Sequence, residues 1–347
     1  DLSGSGDLPM SWTFTGSGQP APIVNRGTLI AATGGVSLIG GAIQNTGVIN
    51  AAGNASLIVG SKVNSLLVQS SAPSLTQPGT WSHTITSSAG TASASAAAIS
   101  HTGTISGASV DMQARMQAEV VSYGINSSGV VQAQGIDGGS LVFSTNEAAY
   151  VDFGTSTTAR SISMTSTAGT LTTRGTANAD AIVMSTSGAL QLGGTLNSGY
   201  ISLAGGSITQ QVGATVGALK GAVHLDVTGN AMLNSNSNAI TWLDGTVGQN
   251  LQLTSTTSVR QAGALQVGGT STLVGLAGSN GSLAGFTFSN GENRFGDTIS
   301  SSGGAVVLGS SEALRLGAFN VGSLAATGSA VTLAGNVASS GGQAYTG

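Results

Sequence analysis

IVNRGTLIAATGGVSLIG (Ile23–Gly40) is followed, one residue on, by AIQNTGVINAAGNASLIVG (Ala42–Gly60). Set one over the other, Asn25 falls on Asn45, Gly27 on Gly47, Leu29 on Ile49 and Ala31 on Ala51, each twenty residues apart. Gly34 falls on Gly53, Val36 on Ala55 and Leu38 on Leu57, nineteen apart. One residue is lost at the turn between the halves. The shared unit is apolar-x-apolar, a turn with Gly, apolar-x-apolar, then a second turn.

The unit returns downstream in degraded form. AISHTGTISGASVDMQ (Ala98–Gln113) keeps the turn, with His101 where Asn45 stands. INSSGVVQAQGIDGGSLVF (Ile125–Phe143) keeps Asn, Gly and two apolar pairs. Ile162 aligns with Ile182 and Met164 with Met184, again twenty apart. Further apolar-x-apolar steps begin at Ile201, Val223, Leu251, Val306, Leu314 and Val331.

Strands this short, separated by Gly, Asn and Ser, do not hold as isolated hairpins. They become stable when each unit stacks on the last and every strand pairs with its copy one repeat away. Alternating side chains then point in and out. The inward set is Val, Ile, Leu, Ala and Met; the outward set is Ser, Thr, Gln and Asn. The expected fold is all-β, a parallel β-helix (solenoid) with coils of about 20 residues. Its ladder positions are Leu29 and Ile49, and Leu38 and Leu57; its turn positions are Asn25 and Gly27, and Asn45 and Gly47. Asn and Gly tolerate left-handed backbone, and Asn25 over Asn45 suits an amide ladder. The Leu run of a leucine-rich repeat and the GGxGxDxUx nonapeptide of a calcium roll are both missing.

Composition agrees. The chain has 347 residues, 55 of them Gly, with 6% charged and 4% aromatic residues. A typical soluble domain has roughly 25% charged residues. With 40% hydrophobic residues, 5 Pro and a net charge of -4, the chain has the apolar content that disordered chains lack. Gly at every third position is absent, which excludes collagen. There is no Cys, hence no disulfide framework. No apolar run reaches about 18 residues, so no membrane insertion is expected. Nine Lys and Arg give no footprint for nucleic acid. The opening DLSGSGDLPMSW has no basic or apolar region of a signal peptide.

The segment VNRGTLIAATGGVSLIGGAIQNTGVINAAGNASLIVG resembles the filamentous haemagglutinin family, the exoproteins of two-partner secretion, which carry N-x-G-x-I-x-A followed by G-G-x-V-x-L. NRFGDTISSSGGAVVLGSSEALRLG (Asn293–Gly317) resembles another recurring segment of these proteins, and GGQAYTG the start of a further repeat. The resemblance implies a right-handed β-helix, passage through an outer-membrane partner transporter of a Gram-negative bacterium, and an extracellular or cell-surface role in adhesion, biofilm or cell contact. The family's NPNL and NPNG motifs are absent, since no Asn-Pro occurs. Only the tail of a secretion domain, or a region downstream of it, is then expected.

The organisation expected is an N-terminal coil or cap at 1–22, regular repeats at 23–69, a loop excursion at 70–90 where two Pro break the pattern, and β-helix from 91 to an uncapped end at 347. Val110, Met112 and Ala114 alternate as in a strand.

Chemistry is sparse: no catalytic, cofactor or metal site is expected. His83, His101 and His224 lie too far apart for a metal motif, and no HExxH occurs. The best catalytic candidates are His224 and Asp226, two apart and so on one strand face, with Asp244 eighteen further on from Asp226. Asp137, Glu147 and Asp152 are a second possible gathering. The expected function is a structural fibre or adhesin, not an enzyme. Its partners would be itself, end to end or laterally, and a host or neighbouring-cell surface or polysaccharide. The alternative is a carbohydrate-active β-helix enzyme of the lyase or hydrolase type, which needs clustered acids. The aromatic residues would cap the core or cover turns; aligned on one face, they would stack on sugar rings.

Overall fold

In a computed structural model, the described residues are 11–15, 21–68, 80–89, 97–116, 123–134 and 139–347. They contain strands and no helix. The chain divides into two units, Asp1–Ala168 and Gly169–Gly347. Each is a parallel β-solenoid.

In the first unit the first four coils each have three strands, not the two apolar pairs read from the sequence, and the coil that follows them has two, Ala149–Asp152 and Thr157–Ser166. Pro22–Asn25 pairs in parallel with Ala42–Asn45, placing Ile23 beside Ile43. Thr28–Ala31 pairs with Val48–Ala51, Leu29 beside Ile49. Val36–Gly40 pairs with Ala55–Val59, Leu38 beside Leu57. The ladder positions thus meet one coil apart. The third strand escaped the sequence reading because Pro22–Asn25 and Ala42–Asn45 each carry a single strong inward residue.

The next coil is Ala97–His101, Thr104–Gly107 and Val110–Ala114, stacked on the second. It is followed by Tyr123–Ser127, Val130–Ala133 and Ser140–Thr145. Inside, Ile43, Ile99 and Ile125 form one row, and Leu57, Met112, Phe143 and Met164 another. All seven side chains are buried. Each contributes about 1.5–3 kcal/mol of apolar burial.

Between the second and third coils the ladder is left. Lys62–Val68 pairs antiparallel with Thr80–Ser87, and on its other edge with Ser11–Thr15. This three-stranded sheet redraws the sequence-based bounds. The regular repeats stop before Lys62 instead of running to 69. Residues 80–87 of the expected loop excursion are a strand, and residues 70–79 lie outside the described residues. Ser11–Thr15, expected in a coil or cap, belongs to the antiparallel sheet. Period counting cannot see such an insertion, because its strands alternate like those of the coils.

The second unit alternates long and short strands. Thr176–Thr186, Thr195–Gly205, Thr215–Val227, Ala239–Val247 and Val259–Val267 pair in sequence, all parallel. Register shifts near Asn197–Ile201, Ala218–Ala222 and Leu243–Gly245 bend them. Ile182, Ile201, Val223 and Leu243 occupy one inward row, and Met184, Leu203 and Leu225 the next inward row; each is 0% exposed.

Candidate functional site

The Asn-x-Gly turns of the first unit stack directly. Asn25 Nδ2 donates to Asn45 Oδ1 at 2.8 Å. Asn45 Nδ2 lies 3.0 Å from His101 Nδ1, and His101 Nε2 lies 3.2 Å from the Val130 carbonyl. An amide NH2 only donates, so Nδ1 accepts and Nε2 carries the proton toward the carbonyl. Burial lowers the His101 pKa from 6.5, and its hydrogen bonds at Val130 and Asn45 oppose that shift. The backbone repeats the same step: the N–H groups of Thr46 and Gly47 donate to the Asn25 carbonyl, and those of Thr102 and Gly103 to the Asn45 carbonyl. A Cβ on Gly47 would sit 2.1 Å from the Gly27 oxygen, and one on Gly103 2.0 Å from the Gly47 oxygen. Only Gly permits that approach. This column is a structural spine, buried and filled.

A second polar cluster lies under the antiparallel sheet. His83 Nδ1 is 2.7 Å from Ser65 Oγ, and His83 Nε2 is 3.1 Å from Ser37 Oγ. Gln113 Nε2 donates to Asp111 Oδ2 at 2.7 Å and to the His83 carbonyl at 3.4 Å. Arg115 Nη1 donates to the Ile85 carbonyl at 3.2 Å. Ile58, Val63 and Ile85 pack together beside it, with Ile39 against them. Strand Ala55–Val59 is therefore buried on both faces. Burial pushes the Asp111 carboxyl up to about 6, against the Gln113 hydrogen bond, and its Oδ1 has no hydrogen-bond partner. Burial also lowers the His83 pKa.

The third arrangement is open to solvent, on the second unit. Outward residues of its long strands align across coils. Ile201 pairs with Val223 and Val223 with Leu243. The residues just before them, Tyr200, Ala222 and Trp242, therefore occupy one outward position of three successive coils. Arg260 pairs with Trp242 in the next coil, and its guanidinium lies over the Trp242 ring, 6.0 Å from the centroid. Tyr200 is 42% and Trp242 36% exposed. Two residues further along each strand, on the same face, come Ser202, His224 and Asp244, also in register. His224 Nδ1 and Asp244 Oδ1 are 2.6 Å apart, with side chains 41% and 23% exposed. A carboxylate only accepts, so Nδ1 donates and a neutral His224 ring offers Nε2 as an acceptor. No hydrogen bond joins Ser202 to His224, so the row Ser202, His224, Asp244 lacks the activated hydroxyl of a nucleophilic triad.

The acids expected to gather are placed differently. Asp226 does share the outward face with His224, but its neighbours are Ala204 and Thr246. Asp244 stands beside His224, because one coil here is twenty residues and not eighteen. Asp137 lies outside the described residues. Asp152 Oδ1 accepts from its own turn, at the Gly154 N–H, and Glu147 takes part in another turn through its backbone. Among the described residues no three His, Asp or Glu side chains could jointly hold a metal ion.

Two amide pairs, one buried and one half-buried, escaped the sequence reading. Gln210 and Asn238 exchange two hydrogen bonds of 2.8 Å, and Asn238 also takes the Leu233 carbonyl and the Val216 N–H. Gln261 and Asn293 repeat the motif, with the Phe288 carbonyl and the Leu265 N–H. In both, Asn lies five residues after the carbonyl that it caps. That spacing, in MLNSNSN and TFSNGEN, was the available signal. No protein-family model, no curated protein and no solved structure matches the chain.

Proposed function

We propose that the chain is a structural-fibre or adhesin segment of a bacterial surface protein, secreted through an outer-membrane partner transporter in the manner of the filamentous haemagglutinins, and not an enzyme. The observation that carries this reading is the parallel stacking of coil on coil within each unit, with a weakly charged Ser-, Thr- and Asn-rich exterior. Such a surface offers little electrostatic repulsion to a neighbour. The repeat resemblance of residues 24–60 supplies the secretion route.

Self-association is part of the proposal. Strand Gln343–Thr346 pairs with Leu324–Thr327 on one edge. Leu333 and Tyr345, 54% and 39% exposed, lie in the same outer coil. Unpaired strand edges recruit further strands. A second molecule would continue the ladder there, in the absence of further coils from the same chain. Negative-stain electron microscopy over a concentration series should show filaments that lengthen with concentration. Short rods of one length at every concentration would contradict self-association.

One observation favours the alternative of a carbohydrate-active enzyme: the hydrogen-bonded His224–Asp244 pair with Asp226 on the same face. Under that reading Asp226→Asn abolishes cleavage of a polysaccharide that the unaltered chain cleaves. Absence of cleavage across a panel of polysaccharides removes it.

A further inference from the structure

We infer that the outward face around Tyr200, Ala222 and Trp242 is a binding site for an uncharged saccharide chain, which deepens the adhesin reading and rests on it. The strands carrying Tyr200 and Trp242 are two coil spacings apart, about 10 Å at ~4.8 Å per strand. Between them the coil contributes only Ala222, preceded by Gly221, at whose position a Cβ would meet the Gly199 oxygen at 1.3 Å. The result is a slot with a small-residue floor and an aromatic side chain on each side. Arg260 follows Trp242 by one coil and lies over one face of the indole. That contact holds the ring and leaves its other face for the Ala222 side.

Large aromatic side chains exposed on a sheet face forfeit burial that the core offers. Their flat faces suit the C–H face of a sugar ring. A separation of two coils is of the order of the disaccharide repeat in an extended chain. Sugar hydroxyls need donors and acceptors beside such a platform, and the adjacent row supplies them. His224 Nε2 has no hydrogen-bond partner among the described residues, and its ring is oriented by Asp244. Asp226 follows two residues beyond His224 on the same exposed face. Charge selects among glycans. Among the described side chains of this face Arg260 is the cation; it is engaged with Trp242, and the face also carries the carboxylates of Asp226 and Asp244. Among those described side chains a polyanionic glycan would find no cationic excess. A neutral chain meets stacking surfaces and hydrogen-bonding groups without charge repulsion.

The test is titration calorimetry and glycan-array binding of the full chain against neutral β-linked gluco-, manno- and galacto-oligosaccharides, with heparin as the polyanionic control. Trp242→Ala and Tyr200→Ala serve as variants, their folding checked by circular dichroism. The expected result is binding of at least one neutral oligosaccharide. Each aromatic variant should weaken it tenfold or more, and His224→Ala should weaken it several-fold. Arg260→Ala, which leaves both aromatic side chains, should weaken it less than Trp242→Ala does. Binding untouched by either aromatic variant, exclusive binding to heparin, or no binding to any neutral glycan would each overturn the proposal. Cleavage products detected in the same incubations would overturn it in favour of catalysis at the His224–Asp244 pair. Attachment of the unaltered chain to whole cells is measured separately. If the chain attaches to cells while no neutral glycan binds, the site falls and the adhesin reading stands.

Discussion

Asn25 and Asn45, twenty residues apart in sequence, are joined side chain to side chain by a 2.8 Å hydrogen bond inside the first unit. The bond exists because the two strands carrying them pair in parallel with no offset. It continues through Asn45 to His101, so a period in the sequence becomes a buried polar column.

Replacing Asn45 by Ala removes both bonds of the middle member. Asn25 Nδ2 loses its 2.8 Å partner, and His101 Nδ1 is left buried without a donor. Each buried polar group left unpaired costs about 1–3 kcal/mol. Urea unfolding of the Asn45→Ala chain should show a loss of about 2–4 kcal/mol, well above that of an exposed Asn→Ala such as Asn50→Ala.

Gly103 tests the backbone approach in the same column. A methyl there would lie 2.0 Å from the Gly47 oxygen, which is itself held in the ladder. Gly103→Ala should therefore destabilise the first unit by more than 2 kcal/mol, of the order expected for an overpacked core position. Gly27→Ala, which meets nothing within 4 Å, should be near neutral. Equal melting temperatures for the two variants would contradict the stacking.

The ladder positions were legible because Asn25, Gly27, Leu29 and Leu38 each have a matching residue one coil later. Asn45, Gly47, Ile49 and Leu57 are near-copies, and in-register pairing turns near-copies into contacts. His101 was legible as the third member because Thr102-Gly103 follows it as Thr46-Gly47 follows Asn45. The antiparallel sheet was not legible. Its side chains pack on the outward face of Ala55–Val59, and Ile58 there looks like an irregularity within a strand. The Tyr200–Trp242 alignment was hidden by register shifts that change the coil length between them. The His224–Asp244 pair follows the twenty-residue coil directly; the eighteen-residue spacing of Asp226 and Asp244 pointed to the wrong partner.

Asp111 should weaken the fold above mildly acidic pH. Its carboxyl, ordinarily at 3.8, is raised to about 6 by burial. Between those values the folded chain binds more protons than the unfolded chain, so this group's contribution falls as pH rises through that window and stays reduced above it. A shift of this size corresponds to on the order of 2–3 kcal/mol. Asp111→Asn keeps an acceptor for Gln113 and removes the charge. The variant should melt higher than the parent above pH 6, and the advantage should shrink toward pH 4.

His101 acts with the opposite sign. Its folded pKa lies below 6.5, so under that pH the unfolded chain takes up a proton that the folded chain refuses. Stability from this group is full above about 6.5 and is lost as pH falls toward the folded value. His101→Asn extends the amide ladder and removes the titrating ring. Thermal melts of that variant should lose less stability than the parent between pH 7 and pH 5.

The most direct measurement of the in-register solenoid uses the absence of cysteine. Thr172, Gln191, Thr209, Met232, Gln252 and Thr272 stand side by side on successive strands. Thr172 and Thr272 are separated by five such steps, about 24 Å at ~4.8 Å each. Spin labels on a Thr172→Cys, Thr272→Cys chain, read by double electron–electron resonance, should give one narrow distance distribution centred near that value. The Thr172→Cys, Gln252→Cys pair should give a distance shorter by one step. A broad distribution, or the same distance for both pairs, would contradict the stacked coils on which the account rests.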